Sequence, residues 1–243
     1  MKIGVQLYSL KDEIKELGVD AVLKMVADAG YDCVEFAGFY GLTPKEMKEK
    51  LDKYNLVGLS AHIGMDKILE NLEYIDEIGI KSVYIPGINH DYMKNQTEDM
   101  AQEIAKIQKE LAPRGVIMGY HNHAGEYENG DDLVWKLLNL TKDFYAQIDV
   151  CWVKAAGIEP TDKMRQYGDR LGCLHIKELK YPSVEGARLP APIIGEGAVG
   201  MKEVFDLAKE MGIDTYILEV EGMECTPEQY LTKSYANIKE YLK

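Results

Sequence analysis

No apolar run among the 243 residues approaches the roughly 20 residues that a membrane-spanning helix needs. The first predicted strand begins at Ile3, which leaves no room ahead of it for the charged and apolar regions of a secretory signal. A soluble, cytoplasmic protein is therefore expected. Cations are scarce: 28 Lys and Arg stand against 41 Asp and Glu, for a formal net charge of −13. Such a surface repels a phosphate backbone or an anionic lipid, and no Lys/Arg run reverses it locally, so neither nucleic acid nor membrane is expected as a partner. The cysteines (Cys33, Cys151, Cys173 and Cys225) lie far apart with no Cys-x-x-Cys pair and are read as small reduced hydrophobes. No linker, low-complexity stretch or composition break divides the chain, so residues 1–243 are read as one domain.

Short β-branched and apolar runs alternate with longer amphipathic ones, the pattern of a parallel sheet with crossover helices. The expected strands are 3–8, 33–37, 57–62, 82–86, 116–121, 144–149, 171–176 and 215–220. Val19, Val22, Leu23 and Val26, and again Ile68, Leu72, Ile75 and Ile78, recur at helical spacing, giving each helix one stripe to lay against the sheet. Thr43-Pro44 and Thr226-Pro227 open helices, and Gly30 closes the first one. Eight strand–helix rounds predict a closed (β/α)8 barrel of the TIM type. An open doubly wound sheet would want a glycine-rich phosphate turn after its first strand, and that turn reads Leu7-Tyr8-Ser9-Leu10. The longest irregular stretch, about Leu179 to Gly200, follows the seventh strand and is expected to act as a lid at the barrel mouth.

In such a barrel the C-terminal strand ends converge on one mouth. His121, Asp149, His175 and Glu219 each close an apolar run at such an end, so their side chains could grip a single divalent metal. Two imidazoles with two carboxylates form a mixed N/O set that favours Mn²⁺ or Zn²⁺, with Co²⁺, Fe²⁺ and Mg²⁺ as further candidates. His62 ends the third strand and His123 follows the fifth. Both stay open between structural hydrogen bonding and substrate contact. Trp152 and Phe39 are candidates to stack on the apolar face of a bound ligand's ring.

Together, Tyr120-His121-Asn122-His123 with Glu126 close behind, Asp149 followed by Trp152 and Ala156-Gly157-x-x-Pro160, Leu174-His175-Ile176-Lys177, Gly195-x-Gly197 and Leu218-Glu219 resemble the xylose-isomerase-like TIM barrels. That family groups sugar isomerases and epimerases with inosose dehydratases and endonuclease IV, and the resemblance runs from the first strand to the last. It implies one divalent metal held by Asp149, His175 and Glu219, with His121 standing where the family usually has a carboxylate. A metal-bound neutral imidazole cannot act as the second base of a two-base epimerase, so that route is disfavoured. The endonuclease branch needs extra histidines after the sixth- and seventh-strand ligands, and these are missing. The implied activity is isomerisation or epimerisation of a small keto or aldo sugar through a metal-stabilised enediolate. Glu219 would be the base, and Glu126, Lys177 or Glu35 would supply the complementary proton or hydrogen bond. Two alternatives share this ligand set: dehydration of an inosose or 3-keto sugar, and a sugar-binding barrel without turnover. The expected partner is a small carbohydrate, and a homo-oligomer is compatible with the sequence.

Overall fold

A computed structural model describes all residues, Met1–Lys243. Eight parallel strands close on themselves in sequence order: β1 Lys2–Gln6, β2 Cys33–Phe36, β3 Val57–His62, β4 Ser82–Ile85, β5 Ile117–His121, β6 Phe144–Asp149, β7 Leu171–Ile176 and β8 Thr215–Leu218. The barrel is the predicted (β/α)8 fold, and helices cross between successive strands. No helix is long and apolar enough to cross a membrane.

Two strands stop two residues earlier than their apolar runs suggest. After Gln6 the chain turns into a short 3₁₀ helix, Leu7–Leu10, because the Gln6 side chain accepts the Tyr8 N–H. After Leu218 the ladder lapses, although Glu219 N–H still reaches Ile176 O and Val220 N–H reaches Ser9 Oγ across the closure. The first helix is also interrupted: Gly18, at φ +83°, separates Lys11–Leu17 from Val19–Asp28. Thr43 and Glu46 form a reciprocal capping box ahead of Pro44, and Thr226 caps the last helix, Pro227–Tyr241, by accepting from Gln229 N–H.

The apolar stripes of the helices pack against the outer faces of the strands and bury Val22, Leu23, Val26 and their counterparts. Inside the barrel, side chains stack in layers. The lower layer is small and apolar, with Cys33, Cys173 and Ile217 around the Tyr84 ring. Gly119 makes that ring possible: a Cβ there would lie 2.7 Å from Tyr84 and 2.2 Å from the Tyr145 carbonyl oxygen. The layer above it is polar, built from Gln6, Glu35, Ser60 and Gln147, all buried. Register irregularities fall at Val34/Glu35 and at Ala146/Gln147, beside two of those inward-facing polar groups.

The stretch from Leu179 to Gly200 differs from a bare lid. It contains a short helix, Val184–Arg188, pairs Ala191 with Met223, and buries Leu179, Ala187, Ile193, Ile194 and Val199. Its apolar residues anchor it to the barrel top.

Candidate metal centre

His121 and Asp149 are the last residues of β5 and β6, His175 is next to last in β7, and Glu219 follows β8 directly. Ladder register puts Asp149 beside His175, and His175 opposite Ile217 two residues before Glu219. Each offers one ligand atom to a cluster whose atoms all lie within 4.8 Å of one another, and all four residues are buried. His62 joins His121 and His175 in an overlapping cluster, its ring stacked on that of His175 at 5.2 Å.

Glu35 sets the tautomers beneath the cluster. Its carboxylate accepts from Gln6 Nε2 at 2.8 Å, Ser60 Oγ at 2.6 Å and Gln147 Nε2 at 2.8 Å. With the Gln147 amide nitrogen thus committed, its Oε1 is an acceptor. It takes the N–H of His62 Nε2 at 2.7 Å and of His121 Nδ1 at 3.1 Å. The His121 Nε2 lone pair is then available to a metal. Burial, reinforced by the neighbouring His175 and His62, holds the His121 ring well below the ordinary imidazole range, in the neutral form a ligand needs.

His175 lies between two carboxylates, with Nε2 at 2.6 Å from Glu35 Oε1 and Nδ1 at 2.6 Å from Glu219 Oε2. Burial alone would lower its pKa, but Glu35 and Glu219 outweigh it and hold it up to about 10. The same contacts draw the Glu219 carboxyl well below the usual carboxylate range against the opposing effect of burial. Asp149 behaves oppositely: burial, aided by the nearby Glu219 charge, pushes it up to about 7 despite Lys177. Its Oδ1 caps the following helix by accepting Trp152 N–H at 2.9 Å, whereas the buried Oδ2 has no hydrogen-bond partner. An unpaired buried carboxylate oxygen is costly unless something positive meets it. Its position among a neutral imidazole and two further ligand groups fits a divalent cation, and the N/O donor set agrees. The Glu35–His175 contact has the form of the carboxylate–histidine pairing that would orient an imidazole ligand.

Above this cluster opens a cavity of about 350 Å³, a size suited to a small metabolite. His121, Glu219 and His62 form its floor side, and Tyr8, His123 and Glu221 contribute to its walls. Several residues singled out in the sequence lie elsewhere. Phe39 is stacked face to face on Tyr74, with centroids 4.0 Å apart, and does not line the cavity. Trp152 is buried, with Lys177 Nζ 4.4 Å above its ring, so that face is covered. Glu126 accepts from Tyr120 OH at 2.7 Å and from His123 N–H at 2.8 Å, fixing the turn after β5 and standing apart from the metal cluster. Lys177 is buried and bonded to Glu221 Oε1 at 2.8 Å. Glu35 lies in the layer beneath, fully buried, where it holds histidines and does not touch the cavity.

Tyr8, Gln147 and Glu221 were not singled out in the sequence. Gln147 precedes Asp149 by two residues and so shares its inward face, a period-two signal that could have found it. Glu178 is the other missed group. Its buried carboxylate accepts N–H bonds from Leu179 at 3.3 Å, Gly195 at 3.1 Å and Val199 at 3.3 Å, tying both ends of the Leu179–Gly200 stretch together.

The model of the xylose isomerase-like TIM barrel family matches residues 23–241. The chain belongs to that family, whose members include isomerases, epimerases and dehydratases. Among curated proteins it is similar to an inosose dehydratase of Geobacillus kaustophilus (strain HTA426), with 23% identity over 99% of this chain and 93% of that protein. Among solved structures, a sugar phosphate isomerase/epimerase from Parabacteroides distasonis ATCC 8503 superposes with TM-score 0.82 at 21% identity, covering 100% of both chains. A D-allulose 3-epimerase from Methylomonas sp. superposes with TM-score 0.76 at 15% identity, covering 99% of this chain and 97% of that one.

Proposed function

We propose that this protein is a divalent-metal-dependent sugar isomerase or epimerase that removes a proton from the carbon beside a carbonyl. The observation that carries the reading is the buried set His121, Asp149, His175 and Glu219, in which Asp149 Oδ2 has no hydrogen-bond partner. A divalent ion held there, with Mn²⁺ or Zn²⁺ suiting the donors best, would polarise a sugar carbonyl and lower the cost of negative charge on its oxygen. The rest falls to side chains. With Oε2 facing His175 at the cation site, Glu219 Oε1 would be the oxygen left to take the α proton. Glu126, Lys177 and Glu35 do not line the cavity, so the complementary hydrogen bond falls to a wall group. His123 suits that role, because burial keeps its ring below the ordinary imidazole range and so a neutral N–H donor at pH 7. Lys177 contributes a fixed positive charge beside Asp149 and Glu219. His62, held between Glu35 and Gln147 and lining the cavity, would contact a substrate hydroxyl.

Dehydration is the second reading, supported by the similarity to the inosose dehydratase. It uses the same proton abstraction, followed by loss of a β-hydroxyl. The deciding experiment is metal analysis of purified protein, then a panel of free sugars, keto sugars and inososes in D₂O followed by mass spectrometry and NMR. Deuterium incorporation with conserved mass supports isomerisation or epimerisation. Loss of water with an enone-type absorbance supports the lyase, and a metal-free, inert protein would refute both.

A further inference from the structure

The mouth of the cavity carries one carboxylate, Glu221, that the proposed chemistry does not use, and it is a third exposed. No Lys or Arg lines the cavity. Two lysines of the β7 loop are paired with carboxylates, and a third lysine lies over an aromatic ring. Lys177 is 1% exposed and donates to Glu221 Oε1 at 2.8 Å, Lys11 sits 4.0 Å over the outer ring of Tyr8, and Lys180 is paired with Glu224 at 2.6 Å. Arg188, at the end of the short helix in the β7 loop, does not reach the cavity lining.

A phosphate ester bound at this mouth would meet Glu221 and Glu219 with no Lys or Arg among the lining residues to offset them, and like charges brought together there oppose binding. We propose that Glu221 is a specificity-determining residue: by tying down Lys177 and presenting its own charge at the rim, it restricts the site to uncharged sugars and polyols and excludes phosphate esters. This assignment rests on the sugar-binding reading above, but its test reads binding and not turnover.

The experiment titrates D-fructose 6-phosphate into metal-loaded wild-type protein and Glu221→Gln, with binding read by calorimetry and tryptophan fluorescence. The expected result is no saturable binding of the ester at millimolar concentration by the wild type, and saturable binding by Glu221→Gln at least about tenfold tighter, since the negative charge at the rim is then removed. Glu221→Asp should keep the exclusion. Saturable binding by the wild type overturns the proposal, as does a Glu221→Gln protein that binds the ester no better. Metal content and the D₂O panel report separately on the catalytic reading, so a failure there is distinguishable from a failure here.

Discussion

Replacing Glu178 by Ala removes the only acceptor that the Leu179, Gly195 and Val199 N–H groups share, in a segment whose neighbours are buried. A stranded buried donor costs about 1–3 kcal/mol. The full sum is not expected, because burial already holds the Glu178 carboxyl above its ordinary pKa, and removing the side chain relieves that desolvation. A net loss of about 2–4 kcal/mol follows, equivalent to a fall in Tm of about 5–15 °C for a chain of this size. Gly197→Ala attacks the same clamp from the other side, since a Cβ there would lie 2.2 Å from Glu178 Oε2 and 2.6 Å from the Leu179 carbonyl oxygen. It should cost about 1–3 kcal/mol as an overpacked site. Both changes release one contact set, so the double variant should lose at least about 1 kcal/mol less than the two single losses added together. Urea unfolding of the four proteins measures this, and limited proteolysis should show new cleavage between Leu179 and Gly200. Additive losses, or single losses below about 0.5 kcal/mol, would mean that the segment is held by its apolar side chains alone.

Asp149→Asn should reduce divalent-metal affinity by more than about 100-fold, as seen by elemental analysis of dialysed protein, because it removes a charge from the donor set and leaves an amide in its place. Glu35→Gln should leave the fold intact and weaken metal binding by about 10–100-fold by loosening His175; unchanged affinity would mean that Glu35 only fills the barrel. Glu219→Gln should slow α-hydrogen exchange by about 10²–10⁴-fold, and near-normal turnover would rule out Glu219 as the base. In the metal-free protein the folded pKa of Asp149 is raised to about 7, so below that value a proton competes with the cation. His175, held up to about 10, also gives up a proton on ligation. Metal affinity should therefore fall as pH drops below about 10 and more steeply below about 7, with proton release detectable by calorimetry in buffers of different ionisation enthalpy, and a flat profile would contradict the assignment.

Much of the site was legible because a parallel barrel sends every strand end to one face. Once the runs ending at His121, Asp149, His175 and Glu219 were recognised as strands, their convergence followed from topology. Phe39 and Trp152 show where that logic stops. Both follow strand ends, yet Phe39 meets Tyr74 from the helix Leu72–Ile78, and Trp152 is covered by Lys177. Direction after a strand end depends on the turn that follows it, and spacing does not encode that. Glu126 was read as a proton donor from its place after β5, whereas the local turn aims it back at Tyr120 and His123.

The sequence by itself determined the alternation of strands and helices, the single closed barrel and the identity of the groups at its mouth, because period-two and helical patterns are local and a barrel's topology is short-range. Only the tertiary structure decided that Nε2 is the free nitrogen of His121, that Glu35 and Gln147 orient the histidine rings from beneath, and that Glu178 clamps the β7 loop. These depend on contacts between residues as distant as Glu35 and Gln147, 112 positions apart. Closing the barrel creates such neighbours, and no local pattern announces them.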